Sequence, residues 1–281
     1  MRILVTGASG LVGRHVVAAL EGHDVFAASR SPAEMDLPDH ATAVQWPDEL
    51  PDVDAVIHLA GASIGGRRWN RAYMDEIRTS RIGSTQTLTQ RYGNDVHLIS
   101  TSAVGYYGRD PDGPCPVDRA PGNDFLAQVC KDWEAAAHAH AGPTTIFRFG
   151  HVLAPGDGLL GRLEPLHRWR VAGIIPPGSQ FLPWIEAHDL AAQLVHAATS
   201  GAEGTYNANV GNVAVADLHR ALCARIGGIR WMPVPRLALR LALGPFAPYL
   251  MGGQEAVSRL PEGGPTPDWT DLESYLDHVY S

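Results

Sequence analysis

The amino-acid sequence predicts an α/β protein built on a doubly wound parallel sheet with a smaller C-terminal lobe. In the first 150 residues, short segments that are hydrophobic throughout alternate with longer amphipathic segments. Such runs are typical of strands buried on both faces and covered by helices. The glycine-rich turn VTGASGLVG at 5–13 joins the first strand to the first helix. After Gly150 glycine and proline become frequent and the alternation is lost, which indicates a different, smaller lobe.

Six strands are predicted, because each segment is short, apolar and rich in β-branched residues. They are RILVTG (2–7), DVFAAS (24–29), ATAVQW (41–46), DAVIHLAG (54–61), VHLISTS (96–102) and TTIFRFG (144–150). Helices are expected directly after the glycine turn, around 72–91 and from about Asp124 to His140, and later near 188–199 and 214–226. We therefore assign residues 1–155 to a dinucleotide-binding domain and residues 156–281 to a substrate-binding lobe, with the last strands of the sheet supplied by the later chain.

Composition excludes several classes of protein. The chain has 281 residues, 45% of them hydrophobic and 19% charged, as in ordinary soluble domains. A formal net charge of −8 without a dense Lys/Arg cluster argues against nucleic-acid binding. The three cysteines show neither a disulfide framework nor a zinc-binding spacing, so no metal site is predicted. Arg236 and Arg240 interrupt the most apolar late segment, so we expect a cytoplasmic protein that does not enter the membrane.

The glycine turn is the strongest binding motif in the sequence. Gly7, Gly10 and Gly13 form GxxGxxG between a strand and an amphipathic helix. Glycine lets the backbone approach a pyrophosphate closely, and the helix N-terminus presents free N–H groups to the anion. The motif therefore predicts dinucleotide binding rather than a simple turn. The residues expected to contact the cofactor here are Gly7, Ser9, Gly10, Leu11, Val12 and Gly13.

The end of the second strand indicates which dinucleotide binds. An acidic residue at this place would bind a ribose 2′-hydroxyl and favour NAD. The sequence instead has Ser29 and Arg30, and a guanidinium is a good partner for a 2′-phosphate. We therefore predict NADP(H); the less favoured alternative is that Arg30 is a solvated loop residue. Leu59, Ala60 and Gly61 end the fourth strand, and these small residues either line the adenosine side of the cofactor or simply pack there.

Taken together, these motifs resemble the extended short-chain dehydrogenase/reductase superfamily of the NAD-dependent epimerase/dehydratase type. The resemblance rests on TGASGLVG, HLAG, STSAVGYYG, DFLAQVCKDWE and FRFGHVLAPG, in this order along the chain. RW at 68–69, VGYYG at 104–108 and MGGQ at 251–254 are similar to a branch of "epimerase family" proteins, some of which carry a cell-division-inhibitor label. The resemblance covers nearly the whole chain and is most specific before residue 155.

This resemblance implies a Rossmann-type domain and a catalytic Ser–Tyr–Lys set. Ser102 matches the family serine and Lys131 the family lysine, which also binds the nicotinamide ribose. The tyrosine position is Ala127, whose methyl group has no proton to donate. Phe149 and Val152 match the segment that passes beside the nicotinamide.

The missing tyrosine leaves the identity of the proton donor open. Tyr106 and Tyr107 follow Ser102 at the carboxyl end of a strand, where ligands bind in open α/β sheets. Either could supply the proton, or both could be packing residues of the loop. Cys130 lies about 100° around the helix from Lys131 and is expected in the core.

Two functions remain open from the sequence. The first is an NADP(H)-dependent oxidoreductase or epimerase-like enzyme that acts on a small carbonyl or alcohol. The second is an NADPH-binding sensor or regulatory protein with little or no catalysis, which the change to Ala127 favours. By analogy with the family, a homodimer could form through the helices near 72–91 and 124–140.

Overall fold

The structure is a computed structural model that describes residues 1–229 and 231–281. Its strands are β1 (Arg2–Thr6), β2 (Asp24–Ser29), β3 (Ala41–Gln45), β4 (Ala55–His58), β5 (His97–Ala103), β6 (Thr144–Phe149), β7 (His151–Ala154), β8 (Phe181–Glu186), β9 (Gly204–Ala208) and β10 (Gly211–Ala214). Its helices are α1 (Leu11–Ala19), α2 (Arg71–Arg91), α3 (Phe125–His138), α4 (Gly158–Arg168), α5 (Ala187–Ser200), α6 (Val215–Ile226), α7 (Arg236–Leu243), α8 (Ala247–Met251) and α9 (Leu272–Tyr280).

Seven strands form one sheet in the order β3-β2-β1-β4-β5-β6-β9, and every neighbouring pair is parallel. Helices α1 and α5 pack together on one face, over a core that includes Val5, Val16 and Leu194. Helices α2 and α3 pack on the other face, over a core that includes Leu4 and Leu88. The order reverses between β1 and β4, and in such sheets ligands bind beside this point at the carboxyl ends of the strands.

The smaller lobe is built on a three-stranded sheet of order β10-β8-β7. Strands β7 and β8 run parallel and β8 and β10 antiparallel. Its core joins α4, α6 and α9 through residues such as Leu160, Leu222 and Leu276, all fully buried. The later chain also returns to the large sheet, because β9 forms its edge beside β6. Within the described residues, no helix has the length and apolar character that spanning a membrane requires.

The fold class expected from the sequence is confirmed, and each of the six expected strands contains an observed strand. The helix expected from Asp124 begins at Phe125, because the Asp124 carboxylate caps it by accepting the N–H of Ala127. The sequence missed α4, which contains Pro165 and starts within a glycine-rich stretch. It also gave no bounds for β7, β8, β9 and β10, of which three have four or five residues and β8 contains Pro183.

Candidate functional site

The glycine turn after β1 is packed too closely for larger side chains. Gly7 has φ +67°, and a methyl group built on it would lie 2.8 Å from the backbone of Leu59. A methyl group on Gly13 would lie 2.2 Å from the carbonyl oxygen of Gly7. Helix α1 starts at Leu11 with Gly10 as its N-cap, and no side chain caps it. Its first N–H groups therefore remain available for an anion, as the sequence predicted for a pyrophosphate.

Arg14 connects this turn to the smaller lobe. Its Nη1 donates to the carbonyl oxygen of Ser9 at 3.0 Å, and its Nη2 pairs with Asp157 at 2.7 Å. The backbone N–H of Gly158 and then Arg14 hold the pKa of the Asp157 carboxyl below its ordinary value. Because Asp157 is the N-cap of α4, the glycine turn and the first helix of the lobe are joined directly. Sequence analysis missed this pair because its members are 143 positions apart.

The end of β2 presents a free cation. Ser29 is partly buried, and its hydroxyl accepts the N–H of Ser31. Arg30 is exposed, and its side chain has no hydrogen bond or ion pair within the described part of the chain. The guanidinium is therefore available to a ligand that lies across the end of β2.

The end of β4 is fixed by a hydrogen-bonded network below Leu59 and Ala60. Their N–H groups donate to the hydroxyl of Thr6, which in turn donates to Nδ1 of His58 at 2.6 Å. The other ring nitrogen of His58 lies 3.1 Å from the hydroxyl of Ser84. Burial, together with the nearby charge of Arg81, lowers the pKa of His58 to about 3. The imidazole is therefore neutral at physiological pH and serves to position the backbone.

Arg81 lies beside Gly61 as a buried cation. A methyl group on Gly61 would approach its guanidinium carbon to 3.2 Å. Arg81 donates to the carbonyl oxygen of Ile77 and stacks on Trp133 at 5.3 Å, but no carboxylate pairs with it among the described residues. Burial lowers its pKa. A buried charge without a counterion is costly, so an anionic ligand here would offset the cost.

Ser102 lies in a buried ionic network. Its hydroxyl donates to Oε1 of Glu134 at 2.6 Å. Arg148 binds the same carboxylate through two hydrogen bonds of 2.8 Å, and both side chains of this ion pair are less than 8% exposed. Burial lowers the pKa of Arg148, but the hydrogen bonds that it donates to Glu134, with the charge of that carboxylate, outweigh burial and raise the pKa. The pairing of Glu134 with Arg148 was not predicted, since only the fold brings α3 and β6 together.

The two candidate tyrosines differ in their surroundings. The Tyr107 hydroxyl donates to Oδ1 of Asn207 at 2.6 Å and accepts from Arg148 at 3.0 Å, so its proton is already engaged within the protein. Tyr106 is partly buried, with the Arg148 guanidinium 3.5 Å above its ring. Burial raises the pKa of Tyr106, and the charge of Arg148 acts in the opposite direction. A cation at this distance stabilises a phenolate.

The remaining predicted residues on α3 separate into two groups. Ala127 is fully buried. Cys130 is also buried, and burial and then Glu134 raise the pKa of its thiol to about 12, so it is no nucleophile. Lys131 is exposed and makes no hydrogen bond or ion pair within the residues that the structure describes. The structure thus places Ser102 with Glu134 and leaves Lys131 outside this network, so its catalytic role stays a prediction.

Phe149 and Val152 lie on either side of the step from β6 to β7. Both are partly buried and pack against the core beneath α1 and α5. His151 between them is exposed, and its Nδ1 lies 3.2 Å from the carbonyl oxygen of Pro183. These residues join the large sheet to the small sheet, in the segment where the resemblance places the nicotinamide.

Fold and site together define a dinucleotide-binding α/β protein with a glycine turn at the switch point of its sheet. The chain belongs to the NAD dependent epimerase/dehydratase family, whose model matches residues 3–211. It is 32% identical to the epimerase family protein Mb2239 of Mycobacterium bovis over 274 residues, covering 91% of this chain and 89% of the relative. It is 34% identical to the Bos taurus epimerase family protein SDR39U1 over 278 residues, covering 92% of each chain.

A solved structure shares the whole fold. The human epimerase family protein SDR39U1 (isoform 2), crystallised with NADPH, superposes with a TM-score of 0.86 at 27% sequence identity. The match covers 100% of this chain and 99% of the human chain. These comparisons confirm the family resemblance seen in the sequence.

Proposed function

We propose that the protein binds NADP(H) across the carboxyl ends of β1, β2 and β4. The observation that carries the proposal is the closely packed glycine turn leading into the uncapped N-terminus of α1. Arg30 is positioned for the 2′-phosphate, and Arg81 beside Gly61 is a buried cation that an anionic ligand would neutralise. The NADPH of the human relative supports the same choice of cofactor.

Substitution of Arg30 tests the choice between the two dinucleotides. Arg30→Asp should weaken NADPH binding by about 10–100-fold, the worth of one charge-assisted hydrogen bond, and leave NADH binding within about twofold. Affinities are measured by fluorescence titration. Arg220→Asp, which also reverses a charge on the exposed surface, is the matched control. An equal loss for both cofactors would contradict the role of Arg30.

We further propose that the protein is an oxidoreductase for a small carbonyl or alcohol, with Tyr106 as the proton donor. The protons of Ser102 and Tyr107 are engaged by Glu134 and Asn207. Tyr106 then donates its phenolic proton to the substrate oxygen, and Arg148 against its ring stabilises the phenolate that remains. NADPH, when bound, supplies the hydride.

A matched pair of variants tests this role. Tyr106→Phe should lower kcat at least about 100-fold, the usual contribution of a positioned general acid, with little change in NADPH affinity. Tyr107→Phe removes the bond to Asn207 and should mainly lower stability. NADPH oxidation is followed over a panel of aldehydes, ketones and quinones. If Tyr106→Phe keeps full activity on a substrate that the wild-type protein converts, Tyr106 is not the proton donor.

A second function is favoured by a different observation. The polar groups around Ser102 satisfy one another, and the exposed Lys131 makes no hydrogen bond to them. This arrangement suits a protein that senses NADPH and signals through a partner. If NADPH binds at micromolar concentration but no carbonyl of the panel is reduced, and Ala127→Tyr gains no activity, the sensor function is supported instead.

A further inference from the structure

The smaller lobe holds a buried cluster of two imidazoles and a thiol that the cofactor site does not use. His167 lies near the end of α4, and His219 and Cys223 lie four residues apart on one face of α6. All three side chains are buried. One potential ligand atom from each lies within 4.8 Å of the others. The fold therefore assembles a set of nitrogen and sulfur donors that the sequence spacing did not reveal.

The two rings meet through one nitrogen each. Nδ1 of His167 lies 2.9 Å from the carbonyl oxygen of Leu163, which only accepts, so this nitrogen carries the hydrogen and Nε2 has a lone pair. Nε2 of His167 faces Nδ1 of His219 at 3.1 Å. Nε2 of His219 lies 3.1 Å from the carbonyl oxygen of Ile229 and 3.5 Å from Sγ of Cys223, so either nitrogen of this ring can carry its hydrogen. When Nε2 carries it, the two facing nitrogens both have a lone pair that a cation could accept.

The spacing of the two facing nitrogens suits a bound cation. A divalent ion would accept both lone pairs at once. Two nitrogens on a tetrahedral zinc, each about 2.0–2.1 Å from it, are about 3.3 Å apart, close to the observed 3.1 Å. Metal-binding histidines also donate their other N–H to a backbone carbonyl, and each ring has a carbonyl oxygen in reach of its other nitrogen.

We propose that His167, His219 and Cys223 bind a zinc ion that ties α4 to α6. The Cys223 sulfur belongs to the same cluster, in which one ligand atom of each residue lies within 4.8 Å of the others. It can complete a three-ligand set with water in the fourth position. Imidazole and thiolate ligands favour Zn²⁺ over Mg²⁺ or Ca²⁺. The ion would hold together the lobe that closes the substrate side of the cleft.

Cobalt substitution tests the site directly on the full-length protein. Titration of the metal-free protein with Co²⁺ should reach one ion per chain and produce a thiolate-to-cobalt charge-transfer absorption. Cys223→Ser should lose that absorption. His219→Gln should weaken Co²⁺ binding by more than about 100-fold. Loss of a residue that only hydrogen-bonds to a metal ligand costs roughly 10–100-fold in affinity. Cys115→Ser, at a buried thiol in another cluster, is the matched control and should behave as the wild type.

Two results would overturn the proposal. The first is a wild-type protein that takes up no Co²⁺, or takes it up without a thiolate signal. The second is uptake with an unchanged spectrum in Cys223→Ser and an unchanged affinity in His219→Gln. Circular dichroism shows whether the variants are folded. If the variants are unfolded, the Co²⁺ stoichiometry and the absorption spectrum of the wild-type protein test the proposal. A proton shared between the two rings would give neither Co²⁺ uptake nor a thiolate signal.

Discussion

At the scale of single residues, the side chains around Ser102 differ from those that the family resemblance predicts. The resemblance predicts a tyrosine and a lysine around Ser102. The structure instead has an alanine at one position, an exposed lysine at the other, and a buried Glu134–Arg148 pair whose carboxylate accepts the hydrogen bond of Ser102. Breaking such a pair by removing one partner typically costs about 3–5 kcal/mol. The network is therefore a structural requirement of this site whether or not it takes part in catalysis.

His58 gives a prediction at the same scale. Its pKa of about 3 in the folded protein is far below the ordinary value of 6.5. The unfolded chain therefore binds a proton that the folded chain rejects, and stability falls as the pH drops from about 6.5 towards 3. The loss from this one group approaches about 1.4 kcal/mol per pH unit.

Urea unfolding between pH 4.5 and 7.5 measures this loss. His58→Gln keeps an acceptor for Thr6 and a donor for Ser84 but does not titrate. The free energy of unfolding of the variant should depend less steeply on pH below 6.5, and the pH dependences of the two proteins should be parallel near pH 7.5. If the free energies of unfolding of the two proteins have the same pH dependence throughout, the pKa of His58 is not lowered in the folded state.

At the scale of elements, the start of α3 depends on one carboxylate. Asp124 accepts the N–H of Ala127 at 3.1 Å and, on its other oxygen, the N–H of Arg109 at 2.8 Å. Loss of an N-cap costs about 0.5–2 kcal/mol. Asp124→Ala should therefore lower the free energy of unfolding by about 1–2 kcal/mol, while Asp124→Asn should recover much of it. Denaturant unfolding checks this, and an equal loss in both variants would assign the effect to charge instead of capping.

The elements also show what sequence reasoning could reach. The central strands β1, β4, β5 and β6 could be predicted because almost all of their residues are buried. The glycine turn could be predicted because the geometry at Gly7 and Gly13 admits no other residue. The ion pair of Glu134 with Arg148 could not be predicted. Neither residue belongs to a local sequence motif for it, and only the packing of α3 against β6 brings them together. The same holds for Arg14 with Asp157 and for His167 with His219, which meet only in the folded chain.

At the scale of the whole molecule, cofactor binding should stabilise the two lobes together. Arg14 and Asp157 connect the glycine turn to the smaller lobe. A ligand bound at the turn should therefore stabilise both lobes. At a concentration 100 times its Kd, NADPH should add about 2.7 kcal/mol. This corresponds to a rise in Tm of about 5–10 °C for a chain of this size.

Differential scanning fluorimetry measures the shift. NADH at the same concentration should give a smaller rise, and Arg30→Asp should bring the two cofactors close together. A single transition with both lobes unfolding together is expected. Two separate transitions, of which NADPH moves only one, would show that the lobes are uncoupled. The homodimer expected by analogy through α2 and α3 remains a prediction that light scattering can test.

The placement of β9 has a consequence for how the chain is made and how it can change. Strand β6 is covered by β9 only after the ribosome has added residues 204–208, and Tyr107 meets Asn207 only then. Until that point the nascent sheet has an open edge, which is prone to pairing with other chains. Residues 1–155 therefore do not form a complete sheet by themselves. A gene fusion that replaced the later half of the chain would have to supply another strand beside β6 and another partner for Tyr107.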